Sequence, residues 1–299
     1  MEKRNFDILL CFIDGNKLYI AIGALIIKPQ KEIILISESQ DKYYEKSIEE
    51  LLKEKGLQCK VTLTNCKEFR NVGEMEHLAI LVNECTGFEE YRVLLDVKER
   101  EAEFFYVDVT EGQVFPLKRG DDQPLPGGPV ELEVDEAMEV SGFNIQTSTE
   151  EMMKSKAMSD MLGFVTQNTE RWDALRYMIK NNYVPNGDWT QFGTSHRIDY
   201  SEGSAMRKFI EFLEEKGYLT ERVMTKNRVH LKIPDPIVRT FIQTTGLWLE
   251  SLTYRALHEL LFIDDTKADV RFLWGNPPCT ITNEIDVMAT SDSRMIFIS

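Results

Sequence analysis

The first 117 residues repeat one pattern, in which short and almost continuously apolar runs alternate with segments of helical spacing. The apolar runs are "FDILLCFI", "EIILISES", "CKVTLTNC" and "LAILVNECTG", followed by "AEFFYVDV" and "GQVFPL". The segments between them, such as "KLYIAIGALIIKP" and "KYYEKSIEELLKEKG", predict helices, and Gly56 is expected to end the second one. Strands that are buried on both faces have this apolar character. The alternation therefore predicts an α/β fold with an N-terminal Rossmann-like parallel sheet.

A dinucleotide-binding fingerprint is absent from this region. No GxGxxG follows the first strand, and the loop "IDGNK" contains a single glycine. In an open parallel sheet, ligands nevertheless bind outside the carboxyl ends of the strands. We therefore expect any ligand site at 14–16, 37–39, 64–66 and 83–87.

Composition and charge exclude several classes of protein. The chain has 299 residues, enough for two or three domains, and a net charge of −15, which argues against a nucleic-acid coating protein. No apolar run reaches the length of a membrane span, and the N-terminus lacks a secretory pattern, so we expect a cytoplasmic protein without a membrane contact. The five cysteines are scattered without a CxxC pair, so neither a zinc site nor a disulfide framework is predicted.

Residues 120–152 differ sharply from the segment before them. The stretch 120–151 contains nine acidic residues and no lysine or arginine, with several prolines and glycines. Such a composition is typical of an exposed linker. We predict an acidic linker here, with at most one strand at "PVELEV".

Residues 153–236 have a winged-helix-like outline. A helical segment "MSDMLGFVTQNTERWDALRYMIKNN" precedes a second helix, "SEGSAMRKFIEFLEEKGYL", with Ser201 as its expected cap. Two short strands in "TERVMTKNRVHLKIP" then form the wing. DNA contact would use the basic residues Arg207, Lys208, Lys226 and Arg228. The alternative is a structural connector or dimerisation module, which the four glutamates of the second helix favour.

Residues 237–299 combine one long helical segment with three strands, "ADVRFLWGN", "ITNEIDVMAT" and "RMIFIS". Glu250 lies inside the apolar run "GLWLESL", where a carboxylate is costly to bury unless it is paired or binds a metal. Period-two spacing places Glu284 and Asp286 on one strand face, together with Met288. Two such carboxylates repel each other unless water or a cation lies between them. A solvent-exposed strand face is one interpretation; the other is a site for Mg²⁺ or Mn²⁺ made with Glu250.

This segment resembles the PD-(D/E)xK, restriction-endonuclease-like nucleases in the order and spacing of "GLWLES", "NEIDVM" and "RMIFIS". The resemblance implies a C-terminal restriction-endonuclease-like α/β domain at 237–299. It also implies that Glu250 and Asp286 bind the metal and that Glu284 assists catalysis. In that family the third strand continues into an acid and a lysine, which would fall at or beyond Ser299. We therefore expect an incomplete domain and little cleavage by this chain.

As a whole, the chain is similar to the CRISPR-associated Rossmann-fold (CARF) nucleases, with a sensor domain at 1–119, the acidic linker, the connector and the nuclease-like domain. The resemblance implies a homodimer in which a cyclic oligoadenylate, commonly the tetra-adenylate, activates cleavage of a nucleic acid substrate during type III CRISPR defence. The ligand-binding residues that the resemblance implies are Asn83, Thr86 and Gly87, and the strand ends add Asp14, Gly15, Asn16 and Ser37.

The sensor loop departs from the family pattern. Asn83, Thr86 and Gly87 match it, but Glu89 and Glu90 stand where a hydroxyl residue and a lysine are usual. A glutamate repels phosphate, whereas a lysine binds it. Two other classes of function stay open: a winged-helix transcriptional regulator or non-catalytic second-messenger-binding protein, and a small-molecule α/β enzyme that uses the sensor domain alone.

Overall fold

The computed structural model describes residues 5–13, 17–37, 42–69, 77–83, 87–98, 102–118, 120, 123–170, 172, 175–176, 184–186, 189–192, 202–224, 229–274 and 281–299. The chain forms two compact units, the first comprising Met1–Ser148 with Leu260–Ser299 and the second comprising Thr149–Glu259. The predicted limits at 119, 152 and 236 do not coincide with these divisions and stay predictions. In particular, the helices after Pro236 belong to the second unit and the last three strands to the first.

The first unit begins with an open sheet and its helices. Its elements are β1 (Ile8–Phe12), α1 (Leu18–Ile27), β2 (Glu32–Ile36), α2 (Lys42–Glu54), β3 (Lys60–Thr64), α3 (Cys66–Phe69), β4 (Leu78–Leu81), α4 (Phe88–Lys98), β5 (Ala102–Asp108) and β6 (Gln113–Pro116). The strand order is β3-β2-β1-β4-β5-β6, with every pair parallel except β5 and β6. The predicted strands and helices of this region are confirmed.

Successive strand residues pack into two apolar layers, one on each face of the sheet. Leu9 and Cys11 of β1 join a core cluster with residues of α1 and α2, whereas Leu10 and Phe12 join a second cluster with residues of α3 and α4. Burial on both faces explains the near-continuous apolar runs in the sequence. The strand order reverses between β1 and β4, so the crevice where such sheets bind ligands lies at the carboxyl ends of these two strands.

The expected acidic linker is largely structured. It contains α5 (Val134–Val140) and β7 (Phe143–Thr147), and the strand predicted at "PVELEV" is not formed. Instead, Val130 and Leu132 are buried in the core cluster of the parallel sheet. Helix α5 begins immediately after them because Glu133 and Glu136 form a capping box, in which each side chain accepts a backbone N–H of the other residue.

The first unit is completed by an antiparallel sheet that combines one strand from the middle of the chain with three strands from its last forty residues. Strands β12 (Asp265–Trp274), β13 (Thr282–Ser291) and β14 (Arg294–Ile298) form the predicted three-stranded meander, and β7 pairs with β12. The strand order is β14-β13-β12-β7. Helix α5 packs on this sheet through Val134 and Met138, which contact Val270, Phe272 and Met288.

The second unit consists of helices and a small antiparallel sheet. Its elements are α6 (Glu150–Met153), α7 (Lys156–Gln167), β8 (Val184–Asn186), β9 (Trp189–Phe192), α8 (Ala205–Glu215), β10 (Glu221–Met224), β11 (Val229–Lys232), α9 (Pro236–Gln243) and α10 (Leu247–His258). The predicted wing strands are present as β10 and β11, and β8 and β9 extend their sheet in the order β10-β11-β9-β8. The long helix expected after Pro236 is divided into α9 and α10.

Helix α8 has the predicted apolar stripe but a different cap. Met206, Phe209, Ile210 and Leu213 are fully buried. Ser204 caps the helix by accepting a hydrogen bond from the Arg207 backbone N–H at 3.3 Å, in place of the expected Ser201. Ser201 lies outside the described residues. None of the helices in the described part of the chain has the length and apolar character needed to cross a bilayer.

Candidate functional site

The carboxyl edge of the parallel sheet is the first candidate site. Of the seven residues proposed to bind a ligand there, the structure describes Ser37, Asn83 and Gly87; Asp14, Gly15, Asn16 and Thr86 lie outside the described residues. Ser37 directly follows β2 and is buried, and its backbone N–H donates to the carbonyl oxygen of Thr64 at 2.9 Å. This bond holds the ends of β2 and β3 together.

Asn83 bridges β4 and β5 at this edge. Its Nδ2 donates to the Val107 carbonyl oxygen at 2.7 Å, and its Oδ1 accepts from the Val107 N–H at 2.9 Å. A side-chain amide used in this way continues the backbone pairing of two strands beyond the end of β4. In the described structure, Asn83 therefore fixes the position of the edge where a ligand is expected.

A glutamate occupies the start of α4. The Gly87 backbone N–H donates to Glu90 Oε2 at 2.7 Å, and Glu89 pairs with Arg92 at 3.3 Å. Helix N-termini attract anions through their exposed N–H groups. Here the chain supplies its own carboxylate, which is the structural consequence of the unusual sequence "GFEE".

One cation at this edge was missed by the sequence analysis. Lys17 immediately precedes α1, and its Nζ lies 3.3 Å from the centre of the Tyr44 ring. A cation–π contact of this kind holds an ammonium group in place over the ring. The lysine in "IDGNK" was the available sequence signal.

The acidic strand β13 is the second candidate site. Asp286 is half-buried and Glu284 is exposed, and Arg271 Nε on the neighbouring strand lies 3.0 Å from Glu284 Oε2. Arg271 Nε also lies 3.5 Å from Asp269 Oδ1. The two strands thus bring three carboxylates and one guanidinium into a single polar group.

Asp269 is a residue of this group that the sequence analysis did not identify. Burial raises the pKa of its carboxyl group, and the nearby Glu284 and Asp286 raise it further, while Arg271 lowers it. Its backbone adopts a left-handed conformation with φ +48. Such a conformation is uncommon outside glycine but is adopted by aspartate more readily than by most residues.

This distortion alters the strand faces. The pairs Ala268 with Val287 and Val270 with Ile285 flank Asp269 in β12 and Asp286 in β13. The predicted strict alternation is not observed in β13, because Ile285 packs against the same apolar cluster that contains Met288. A left-handed residue within β12 interrupts the regular alternation of side chains across the pair.

Glu250 lies in the first turn of α10, in the second unit, whereas Glu284 and Asp286 belong to the first unit. The Glu250 carboxylate folds back over the start of the helix, since a Cβ added to Gly246 would lie 2.7 Å from its Oε1. An acidic group is favourable at this position because of the helix dipole. Joint coordination of a cation by Glu250 and Asp286 stays a prediction.

Carboxylate oxygens are suitable ligands for Mg²⁺ or Mn²⁺, so the chemistry of this donor set fits such an ion. Within the described ranges, however, no three histidine, cysteine, aspartate or glutamate side chains converge as ligands of one metal. Arg271 already neutralises part of the negative charge. Any metal would therefore compete with the guanidinium for Glu284.

The basic residues considered for DNA contact are only partly described. Arg207 Nε lies 2.7 Å from Glu211 Oε1, one turn further along α8, and Lys208 is next to it. Lys226 and Arg228 lie outside the described residues. The pairing of Arg207 within its own helix gives no support to a DNA-reading role.

Comparison by sequence identifies no relative: no protein-family model matches the chain, and no curated protein matches it. Comparison with solved structures does. The chain resembles protein VC1899 from Vibrio cholerae with a TM-score of 0.65 and 13% identity, over 97% of this chain and 78% of that one. It also resembles Can2 from Sulfobacillus thermosulfidooxidans, solved in complex with cyclic tetra-adenylate, with a TM-score of 0.65 and 14% identity, over 98% of this chain and 76% of that one.

At this level of identity the likeness concerns the fold. Nearly the whole chain is covered in both comparisons, so the resemblance extends over the parallel sheet, the second unit and the antiparallel sheet alike. The predicted α/β fold class is confirmed.

Proposed function

We propose that this chain is a cyclic-oligoadenylate-responsive, metal-dependent nuclease of type III CRISPR defence, of the CARF class with a PD-(D/E)xK centre. The observation that carries the proposal is the combination, in one chain, of an open parallel sheet with the acidic meander β12–β14. A helix bearing Glu250 precedes that meander in the sequence. The likeness in fold to Can2, which was solved with cyclic tetra-adenylate, supports the same reading.

In this proposal, Glu250 and Asp286 hold Mg²⁺ or Mn²⁺, and Glu284 assists. A bound divalent cation would neutralise charge on the scissile phosphate and lower the pKa of a water molecule. Arg271 keeps Glu284 and Asp269 from repelling each other, and thereby holds the acidic strand in place.

Metal binding tests this centre independently of cleavage. Calorimetric titration with Mn²⁺ alone should show one site, and Glu250→Gln and Asp286→Asn should each weaken it by about tenfold or more, since even outer-shell changes cost that much. Glu259→Gln is the matched control: this glutamate ends the same helix and pairs with Arg255 at 3.0 Å. Equal Mn²⁺ affinities in all four proteins would contradict the metal assignment.

Cleavage is tested with single- and double-stranded DNA and RNA in the presence of Mn²⁺, with and without cyclic tri-, tetra- and hexa-adenylates. The proposal expects any cleavage to depend on one of these ligands and to be lost in Asp286→Asn. Cleavage that is unaffected by Asp286→Asn would exclude this centre. Absence of cleavage of all of these substrates with every ligand would contradict the nuclease activity.

Binding of the cyclic oligoadenylate is tested by a substitution at the start of α4. In the proposed site, the ligand phosphates lie at the carboxyl edge of the sheet of each subunit in a homodimer. The Glu90 carboxylate, which accepts from the Gly87 N–H, would oppose phosphate binding there. Glu90→Gln should therefore raise the affinity for cyclic tetra-adenylate, whereas Glu103→Gln, at an exposed position of β5, should not. An unchanged affinity in Glu90→Gln would remove Gly87 from the proposed site.

A further inference from the structure

Two turns of the first unit are joined by a set of polar contacts that link its two sheets. Ser293 Oγ donates to the carbonyl oxygen of Val109 at 2.9 Å. Arg294 Nε donates to the carbonyl oxygen of Thr110, and Arg294 Nη2 lies 2.9 Å from Glu111 Oε1. We call the packing of residues 109–112 against residues 292–294 the turn–turn contact.

The turn–turn contact is close and is supported from a second side. Gly112 has φ +61, and a Cβ at this position would lie 3.0 Å from Ser293 Oγ, so a side chain there would push the two turns apart. Asp292 accepts a hydrogen bond through its carbonyl oxygen from the Leu132 N–H at 3.3 Å. Ser293 itself is buried. The contact is therefore part of the packed structure and not a chance meeting of surface side chains.

One end of the contact leads to the proposed ligand edge. Val107 belongs to β5, two residues before Val109, and both of its backbone groups are bonded to the side chain of Asn83. The Val82 N–H also donates to the carbonyl oxygen of Phe105 at 3.1 Å. A movement of the chain at the end of β4 must therefore displace β5 immediately before the turn.

The other end leads to the acidic strand. Ser291 pairs with Arg294 and Thr290 pairs with Met295 across the β13–β14 hairpin, so the turn is rigidly joined to β13. Asp286 and Glu284 lie on that same strand. A shift of the turn consequently shifts the strand that carries the proposed metal ligands.

We propose that the turn–turn contact transmits the state of the ligand edge, through Asn83 and β5, to the acidic strand β13. The proposal rests on the proposed function, because it describes how occupation of that ligand edge regulates the acidic centre. Packed elements change between discrete arrangements and do not deform continuously, so a small displacement at Asn83 can reposition β13 as a unit.

A ligand-free experiment tests the coupling itself. Hydrogen–deuterium exchange is followed at the amides of β13 and β14 in the full chain. Asn83→Ser should speed exchange there by roughly three- to tenfold, as expected for coupling energies between interacting residues. The same substitution should have no effect on these amides when Arg294→Ala is already present. Equal effects in both backgrounds, or none in either, would overturn the proposal.

Conservative variants protect the test against loss of folding. Glu111→Gln preserves side-chain size and removes the charge that faces Arg294, so it replaces Arg294→Ala if that variant is unstable. Asn83→Asp retains the acceptor for the Val107 N–H, so it replaces Asn83→Ser if the serine variant is unstable. Arg222→Ala is the matched control, since it breaks an arginine–glutamate pair of 3.0 Å with Glu214 in the second unit. It should leave the exchange of β13 and its response to Asn83→Ser unchanged.

A second arm uses cyclic tetra-adenylate as the probe and separates the two proposals. If the ligand alters exchange at both β4–β5 and β13, and the Arg294→Ala protein shows only the former change, the coupling is supported. If it alters exchange at β4–β5 but not at β13 in the unmodified protein, the coupling is overturned while the sensor role stands. If it alters neither, the proposed ligand is wrong, and the ligand-free cycle still decides the coupling.

Discussion

The two sheets of the first unit are built on opposite plans. Strands β1, β2 and β4 are buried on both faces and come from neighbouring segments of the chain. The antiparallel sheet takes β7 from the middle of the chain and β12–β14 from its end, and β13 changes from exposed to buried along its length. The difference indicates that the parallel sheet is held by apolar burial, whereas the antiparallel sheet leaves part of a strand available to carry charge.

Of the substitutions that test this difference between the sheets, one in the apolar core is expected to change stability most. Phe105 of β5 is fully buried and meets the Phe6 ring edge-on at 5.4 Å. Phe105→Ala should lower the free energy of unfolding by about 3–5 kcal/mol. Phe297→Ala on β14, where the side chain is 50% exposed, should change it by about 0.5 kcal/mol or less. Urea unfolding monitored by circular dichroism compares the two variants. Similar losses in the free energy of unfolding would show that β14 also depends on burial.

Two left-handed glycines provide a steric comparison. Gly142, between α5 and β7, has φ +87, and a Cβ there would lie 2.7 Å from the Tyr44 hydroxyl. Gly56, after α2, has φ +81, and no atom of the described residues would lie within 4 Å of a Cβ there. Gly142→Ala should cost about 2–4 kcal/mol, from backbone strain and overpacking together. Gly56→Ala should cost about 1–2 kcal/mol, from strain alone. Thermal unfolding distinguishes the two variants. Equal losses of stability would show that the Tyr44 side chain moves away from the added Cβ at little cost.

A third comparison concerns Asp160 of the second unit and Asp269 of the antiparallel sheet. Asp160 accepts from the Tyr218 hydroxyl at 2.8 Å and lies 3.1 Å from Lys216 Nζ. Burial opposes its ionisation, but these partners lower its pKa below the usual value; burial and Asp160 together raise the pKa of Tyr218 to about 12. Asp269 has the opposite balance, since burial and two neighbouring carboxylates raise its pKa.

Tyr218→Phe should therefore lower the free energy of unfolding by about 1 kcal/mol at pH 7. Because the folded-state pKa of Asp160 is lowered, its stabilisation is present above the ordinary aspartate pKa and is lost as the pH falls through the folded value. The variant should show a shallower loss of stability below about pH 4 than the unmodified protein. Tyr106→Phe, at an exposed position of β5, is the control in urea unfolding from pH 3 to 7. Identical pH profiles would contradict the assignment.

The smallest effect is expected on α5, which packs between the two sheets. Burial and the nearby Glu50 and Glu54 of α2 raise the pKa of Glu139, while Ser47 and Lys46 lower it. For an acid with a raised folded-state pKa, stability falls as the pH rises from the ordinary value through the folded one. Glu139→Gln should therefore stabilise the protein at pH 7 by about 0.5 kcal/mol or less, since solvent screens this exposed group.

Exposed Glu202→Gln is the control for this substitution, and thermal unfolding between pH 4 and 7 is the measurement. A destabilised Glu139→Gln protein at pH 7 would show that the hydrogen bond from Ser47 outweighs the repulsion by Glu50.

The parallel sheet could be predicted from the sequence because each of its strands has its own apolar run. It was insufficient for β7, whose residues "FNIQT" have no apolar run and become a strand only by pairing with distant β12. The segment before α5 was misread for a related reason. "PVELEV" alternates like a strand, yet Glu133 and Glu136 cap a helix that begins within it. Similarly, helical spacing of apolar residues continues from α9 into α10, so the sequence did not reveal that the helix is interrupted at residues 244–246.

The candidate site was partly predictable. Glu250, Glu284 and Asp286 were conspicuous as acids in apolar surroundings, but Arg271 and Asp269 became visible only when β12 was placed beside β13. No periodicity rule anticipates the left-handed backbone of Asp269. Likewise, Asn83 was recognised by its position, whereas its bonds to Val107 depend on the pairing of β4 with β5.

The division of the first unit between Met1–Ser148 and Leu260–Ser299 has a consequence for biosynthesis. A ribosome delivers β7 well before β12, and the whole of Thr149–Glu259 emerges between them. Since nascent domains generally fold from the N-terminus as they appear, the parallel sheet and then the inserted unit can form while the antiparallel sheet waits for its last three strands. The acidic strand is thus among the last parts of the described chain to be assembled, so an interrupted translation product would carry a formed parallel sheet without β13.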